Sequence, residues 1–344
     1  MSITARLKPS SRTFTVELGE TLLEAGLRAG LALGYGCANG SCGMCKARVV
    51  TGGVSEVRFH DYVLSASEKH AGYTLLCCAT ALEDVEIEAG EAGGAEDIEP
   101  QTIRARVHRL RPVGKEIMLL TVRTPRSRLL RFLSGQHVDL TVGALAPRDV
   151  PIASCPCDGM NIQFHFRRTS DDAFLEQVFD TLKKSDEVVL EGPRGRFTLD
   201  PDSKRPILFF AYDTGFAPVH GLIEQAMNLE LPQAMHLYWV APGPGEHYLH
   251  NLCRSWADAF DNFAYYPLVD GSPQKEVAGA DSARDLPRSV ANELLESQRG
   301  LSLFDAYAAG PEWFVALAVE GFSRQGLPRD RLFVDIIDPR PDGT

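Results

Sequence analysis

Apolar and polar positions alternate with period two over Phe14–Leu18, Ala47–Val50 and Val85–Glu88. Between the first two runs, Thr21–Ala29 has helical spacing, with Thr21 placed to cap it. A small, acidic stretch follows at Ala89–Asp97 and reads as a linker. Glycines and prolines then separate strand-like runs over Thr102–Leu110, Glu116–Arg123, His137–Val142 and Asn161–Arg167, the pattern of a small antiparallel barrel. From about residue 205 the rhythm changes to strand and helix in alternation. Strands are expected at Pro206–Tyr212, His236–Val240, Ala264–Val269, Asp305–Ala309 and Leu332–Ile337, and helices at Pro218–Leu229, Tyr248–Phe260 and Trp313–Gln325. That order predicts a doubly wound parallel sheet. The expected organisation is a first domain over residues 1–90, a linker over 91–100, a barrel over 101–203 and an α/β domain over 204–344.

Charge narrows the function classes. The 344 residues carry 35 basic and 46 acidic side chains, a net of −11, which argues against generic nucleic-acid binding because phosphates need cations. Its distribution is uneven: nine basic residues between Arg104 and Arg131 face a single acid, Glu116. This stretch reads as solvated strand faces, with a docking face for an acidic partner or for the acidic first domain itself as the alternative. Apolar runs such as Ile207–Ala211 are far shorter than the roughly 18 residues a membrane span needs, and the N-terminus has no apolar signal core. A cytoplasmic location without membrane contact is expected.

Chemistry enters through the cysteines. Five of the eight lie between Cys37 and Cys78. Cys37, Cys42 and Cys45 stand in C-x₄-C-x₂-C order and Cys77 follows far downstream, the spacing of a plant-type [2Fe–2S] centre. Four thiolates must converge on two irons, so the loop has to wrap tightly. Gly34, Gly36, Gly40 and Gly43 supply the freedom to do so. Cys78 competes with Cys77 as fourth ligand, but Cys77 suits the spacing better. Elsewhere Cys155 and Cys157 read as packed or partly exposed thiols, with a redox pair or metal site as the alternative. Cys253 reads as core, Trp313 as core with a place over the nucleotide cleft as the alternative, and His247 and His250 as surface residues.

Residues 1–90 resemble a chloroplast-type ferredoxin, which implies a β-grasp fold. The remainder resembles the flavin reductases that serve ring-hydroxylating dioxygenases and related monooxygenases, of the ferredoxin-NAD(P)H reductase family. The likeness is carried by Gly135–Leu140, Phe164–Arg167, Glu191–Phe197, Thr214–Pro218 and Ala309–Pro311. It implies a Greek-key barrel holding FAD and an α/β domain holding a nicotinamide. The implied flavin contacts are Arg148, Val150, Pro151, Ile152, Ala153, Ser154, His165 and Arg167. Thr214, Gly215, Pro218 and Gly310 mark the nicotinamide side. No residue is assigned a catalytic acid–base role. The implied partner is a ferredoxin, an oxygenase component or a regulatory protein.

Departures from the family pattern fall at cofactor contacts. Arg-x-Tyr-Ser has become Arg148-Asp149-Val150-Pro151, and Gly-Gly at the pyrophosphate has become Asp171-Asp172. Each carboxylate near a phosphate costs on the order of 1–3 kcal/mol, which would shift the load to Arg148, Arg167 and Arg168. Gly-Gly-Thr-Gly is Tyr212-Asp213-Thr214-Gly215, and the usual Cys before Gly310 is Ala309. The Ala241–Glu246 loop has no cation for an extra phosphate, so NADH is expected over NADPH, bound weakly or not at all. These departures favour a redox-responsive accessory or sensor with impaired nicotinamide oxidation, resembling the regulatory reductase-like proteins of tetralin catabolism. The alternatives are an active NADH-dependent reductase for an aromatic-ring hydroxylating system and an electron carrier without flavin.

Overall fold

Three large sheets follow one another along the chain, with a two-stranded sheet beside the first. The structure, a computed structural model, describes residues 3–35, 39–59, 63–91, 95–125, 128–156, 160–200, 203–270 and 300–337. Cys37 and Gly36 of the cluster loop lie outside the described residues, as do Arg126 and Cys157. Among the described residues no helix is long and apolar enough to cross a membrane.

The first unit contains β1 (Ile3–Lys8), β2 (Thr13–Val16), α1 (Leu22–Arg28), β3 (Lys46–Thr51), β4 (Val54–Glu56), α2 (Ala66–His70), β5 (Tyr73–Leu75), β6 (Ala79–Ala81) and β7 (Val85–Glu88). Its main sheet runs β2-β1-β7-β3-β5, with β1 and β7 parallel. Thr21 caps α1 in a reciprocal box with Glu24, each satisfying a backbone or side-chain donor of the other. Buried Leu22, Leu23 and Leu27 turn α1 onto the sheet. Leu129, from beyond the linker, is part of this same core, Met160 packs against it, and Tyr35 donates to the Leu130 carbonyl at 3.3 Å. Glu91 opens the linker and pairs with Arg12 at 2.7 Å.

The second unit comprises β8 (Gln101–Val113), β9 (Ile117–Arg123), β10 (His137–Val142), β11 (Arg148–Pro151), β12 (Asn161–Arg167), α3 (Ala173–Glu176) and β13 (Glu187–Arg194). Six antiparallel strands run β11-β10-β13-β8-β9-β12. The sheet curls until its ends meet just past β11, where Ala153 N–H donates to the Gln163 carbonyl at 2.8 Å. Of the basic run, Arg104 pairs with Glu187, Arg106 donates to the Ser185 carbonyl and Arg123 to Asn161.

The third unit has β14 (Ile207–Tyr212), α4 (Phe216–Asn228), β15 (Met235–Ala241), α5 (His250–Ala259), β16 (Phe263–Val269), β17 (Asp305–Gly310), α6 (Glu312–Arg324) and β18 (Leu332–Ile336). The parallel sheet runs β16-β15-β14-β17-β18. Strand order reverses at β14, and in such sheets the crevice beyond the carboxyl ends at that reversal is where ligands bind. The short turn Asp213–Gly215 and the end of β17 stand at that crevice. Leu208, Phe209 and Phe210 are fully buried, as a strand covered on both faces requires.

Candidate functional site

The cluster loop leads into β3, and β5 brings the distant thiol back to it. Cys45 precedes β3 and Cys77 follows β5; both are buried and their sulfurs lie 3.3 Å apart. That is too far for a disulfide and fits two thiols turned toward a common centre. Exposed Cys42 lies near enough to act on the Cys45 charge, and Met44 N–H points at the Cys42 sulfur at 3.5 Å. The hydrogen bond from Cys45 outweighs burial and lowers the Cys77 pKa to about 6, while the Cys45 pKa is raised. The pair thus gives up a first proton readily, as metal ligation demands. Gly43 has φ +74, and a Cβ there would meet Val63 at 2.8 Å, so the tight turn between ligands needs glycine. Cys78 is also buried, 3.6 Å from the Cys77 sulfur. These donors fit a [2Fe–2S] group, with Cys37 outside the described residues. Among the described residues alone no three ligand-type side chains close a metal cage.

The residues implied for the flavin lie on β11, just past it and on β12, where Ala153 meets Gln163. Val150, Ile152 and Ala153 are buried, the first two in the barrel core, and Pro151 is buried beside them. The Ala153 carbonyl accepts from His220 Nδ1 on α4 at 2.6 Å. Ser154 Oγ accepts from Gln163 N–H at 3.1 Å. His165 lies between Gln163, at 2.6 Å, and the Tyr248 hydroxyl, at 3.0 Å. Burial, reinforced by His220 and Arg111, depresses its pKa, so the ring is neutral.

The arginines expected to meet phosphate are paired. Arg148 makes a two-pronged bond to Asp172, at 2.7 and 2.9 Å, and lies over the Phe174 ring. Burial pulls the Asp172 pKa up, but Arg148 and the Leu175 amide override it and hold the carboxyl below its usual range. Arg167 binds Asp213, with Nη2 to Oδ1 at 2.7 Å, and also reaches Glu246 at 3.0 Å. Arg168 pairs with Asp180. The donor types suit a dinucleotide, yet each of these cations already holds a carboxylate of the chain.

At the crevice beyond β14, where the nicotinamide-side residues are expected, Tyr212 donates to Asp270 at 3.0 Å and packs edge-on against Trp313. Trp313 is 46% exposed, at the crevice rather than in the core as its sequence context suggests, because α6 presents its first turn outward. Asp213 has φ +48 and is buried; burial pushes its pKa up, opposed by Arg167. Thr214 is half-buried, whereas Pro218 and Gly310 are buried. A Cβ on Gly215 would lie 2.2 Å from the Ala309 carbonyl, so this glycine lets the turn sit directly on β17.

Three further features depart from or add to the expected site. His137 bonds Asp149 at 3.0 Å and Asp335 at 2.8 Å, joining β10 to β18. His247, expected at the surface, is half-buried and bonds the Trp239 carbonyl at 2.8 Å. Cys155 is buried and disulfide-bonded rather than a free packed thiol, its partner lying outside the described residues. Cys253 is a buried core thiol, as expected.

Comparison with known proteins places this geometry. A 2Fe-2S iron-sulfur cluster binding domain matches residues 5–83. The chain is 30% identical to the CDP-6-deoxy-L-threo-D-glycero-4-hexulose-3-dehydrase reductase of Yersinia pseudotuberculosis, covering 98% of this chain and 99% of that protein. It is 26% identical to the propane 2-monooxygenase reductase component of Rhodococcus jostii, over 93% and 88% of the two chains. The crystal structure of the Amycolatopsis cytochrome P450 reductase GcoB superposes with a TM-score of 0.61 at 25% identity, over 97% and 98% of the two chains. A ferredoxin-like sheet, an FAD-binding reductase barrel and a nucleotide-type sheet are shared along almost the full chain, which belongs to the ferredoxin-NAD(P)H reductase family as an iron–sulfur electron-transfer reductase.

Proposed function

We propose that this chain is the reductase component of a multi-protein redox system, taking electrons from NADH and delivering them through a [2Fe–2S] cluster to a partner. The observation that carries the reading is the convergence of Cys45 and Cys77 beside Cys42, on a domain joined to a flavin-type barrel. Bound FAD would supply the exchange between a two-electron donor and a one-electron acceptor. The chain's own residues position the components: the glycine-bearing loop holds the thiols, and Tyr35 and Leu129 fix the ferredoxin against the barrel. Relatives named as monooxygenase and dioxygenase reductases support an oxygenase or a ferredoxin as partner. A relative named for a hexulose dehydrase extends the class to other redox enzymes.

A specific observation favours a second reading, in which nicotinamide oxidation is impaired and the chain is a redox-responsive accessory. Tyr212 and Trp313 pack edge-on beside the crevice and add bulk there, and Asp213, held by Arg167, adds negative charge where phosphates would approach. Anaerobic addition of NADH to the purified, cofactor-loaded protein separates the two. Rapid bleaching of the visible absorbance supports the working reductase. Bleaching by dithionite or reduced ferredoxin alone supports the accessory. A protein without iron and sulfide refutes both.

A further inference from the structure

Arg148, at the start of β11, is a fork whose two terminal nitrogens are both committed to Asp172. The pair is well shielded, with side-chain exposures of 17% and 4%. Phe174 covers the guanidinium face and packs on Phe166, next to Arg167, which holds its own carboxylates. Asp172 is anchored a second time: its Oδ1 accepts from Leu175 N–H at 3.0 Å. The carboxylate therefore stays in place even if the arginine turns away.

A two-pronged arginine is a good receptor for a carboxylate or a phosphate, and both compete for the same fork. We propose that Asp172 is a resident competitor for the pyrophosphate of a flavin dinucleotide, so that this barrel takes up FAD by exchanging an internal ion pair for a phosphate contact. Asp172 is thus a specificity-determining residue that weakens FAD retention without touching the flavin ring. The proposal rests on the flavoprotein reading above.

The test uses the full chain with its cluster, stripped of flavin and titrated with FAD by fluorescence quenching. Asp172→Asn and Asp172→Ser both keep a capping side chain while removing the charge. Each is expected to tighten FAD binding roughly tenfold, the size of one partly screened like-charge contact. Arg148→Gln is expected to lower affinity far more in the Asp172→Asn background than in wild type, because only there is the fork free. Unchanged or weaker binding in both single variants, with folding intact by circular dichroism, overturns the proposal. An equal effect of Arg148→Gln in the two backgrounds overturns it as well. Should wild type bind FAD and pass electrons while the variants gain nothing, this inference falls alone. Should no form bind FAD, the flavoprotein reading falls with it.

Discussion

Asp335→Asn removes one charge from the junction between the barrel and the α/β sheet with little change of shape. His137 donates from both ring nitrogens, to Asp149 on β11 and to Asp335 on β18. Burial opposes a charged ring, but the two carboxylates prevail and raise its pKa from 6.5 to about 10. A shift of that size corresponds to about 5 kcal/mol over the whole titration. Asp149 is 60% exposed, so solvent screens its share; Asp335 is 12% exposed and is expected to carry about 2–3 kcal/mol. The folded-state pKa lies above the unfolded value, so the contribution is complete below about pH 6.5 and lost as pH rises through about 10. All three tryptophans, Trp239, Trp256 and Trp313, lie in the third unit, so their fluorescence during urea unfolding reports the relevant transition. The variant is expected to lose about 2–3 kcal/mol near pH 7 and almost nothing beyond pH 10. An equal loss at both pH values would show that shape rather than charge joins these elements, and a variant as stable as wild type near pH 7 would refute the reasoning outright.

Other perturbations address the cofactor regions. Cys45→Ser and Cys77→Ser are expected to abolish iron and sulfide retention, whereas Cys78→Ser keeps the visible spectrum; loss of colour in Cys78→Ser alone would reassign the fourth ligand. Gly215→Ala forces a Cβ against the Ala309 carbonyl and is expected to destabilise the third unit by about 1–3 kcal/mol, measured by thermal unfolding. Replacing Tyr212 and Asp213 together with Gly is expected to improve NADH affinity roughly tenfold by removing bulk and one like charge; unchanged affinity by equilibrium titration would show that these side chains do not obstruct the crevice.

The spacing of the candidate cluster thiols and the succession of strands and helices along the chain were legible because both depend on local pattern. C-x₄-C-x₂-C is a constraint within one loop, and the runs His137–Val142 and Asn161–Arg167 alternate strictly enough to set their own ends. Short elements escaped: α2 and β4 to β6 are three to five residues long, too brief for a period to show. The charged pairs were half legible. Asp172 and Asp213 stand out as acids at positions where a phosphate is expected, but nothing local reveals that Arg148 and Arg167, 24 and 46 residues away, turn to meet them. The retention of those arginines beside newly acidic neighbours is the signal that could have suggested compensation. His137 and Asp335 are 198 residues apart and leave no trace in the sequence. His247 reads as a surface residue because a polar side chain in a loop gives no hint of the Trp239 carbonyl that it meets.

Leu129 belongs by packing to the ferredoxin and by chain order to the barrel. Swinging the iron–sulfur module away would wet that leucine and strip Tyr35 of its acceptor at Leu130. The module is therefore held by packing as well as by its linker, and electron hops inside the chain are expected to run over a fixed gap. Their rate is expected to ignore solvent viscosity, leaving any viscosity dependence of turnover to the encounter with the acceptor protein.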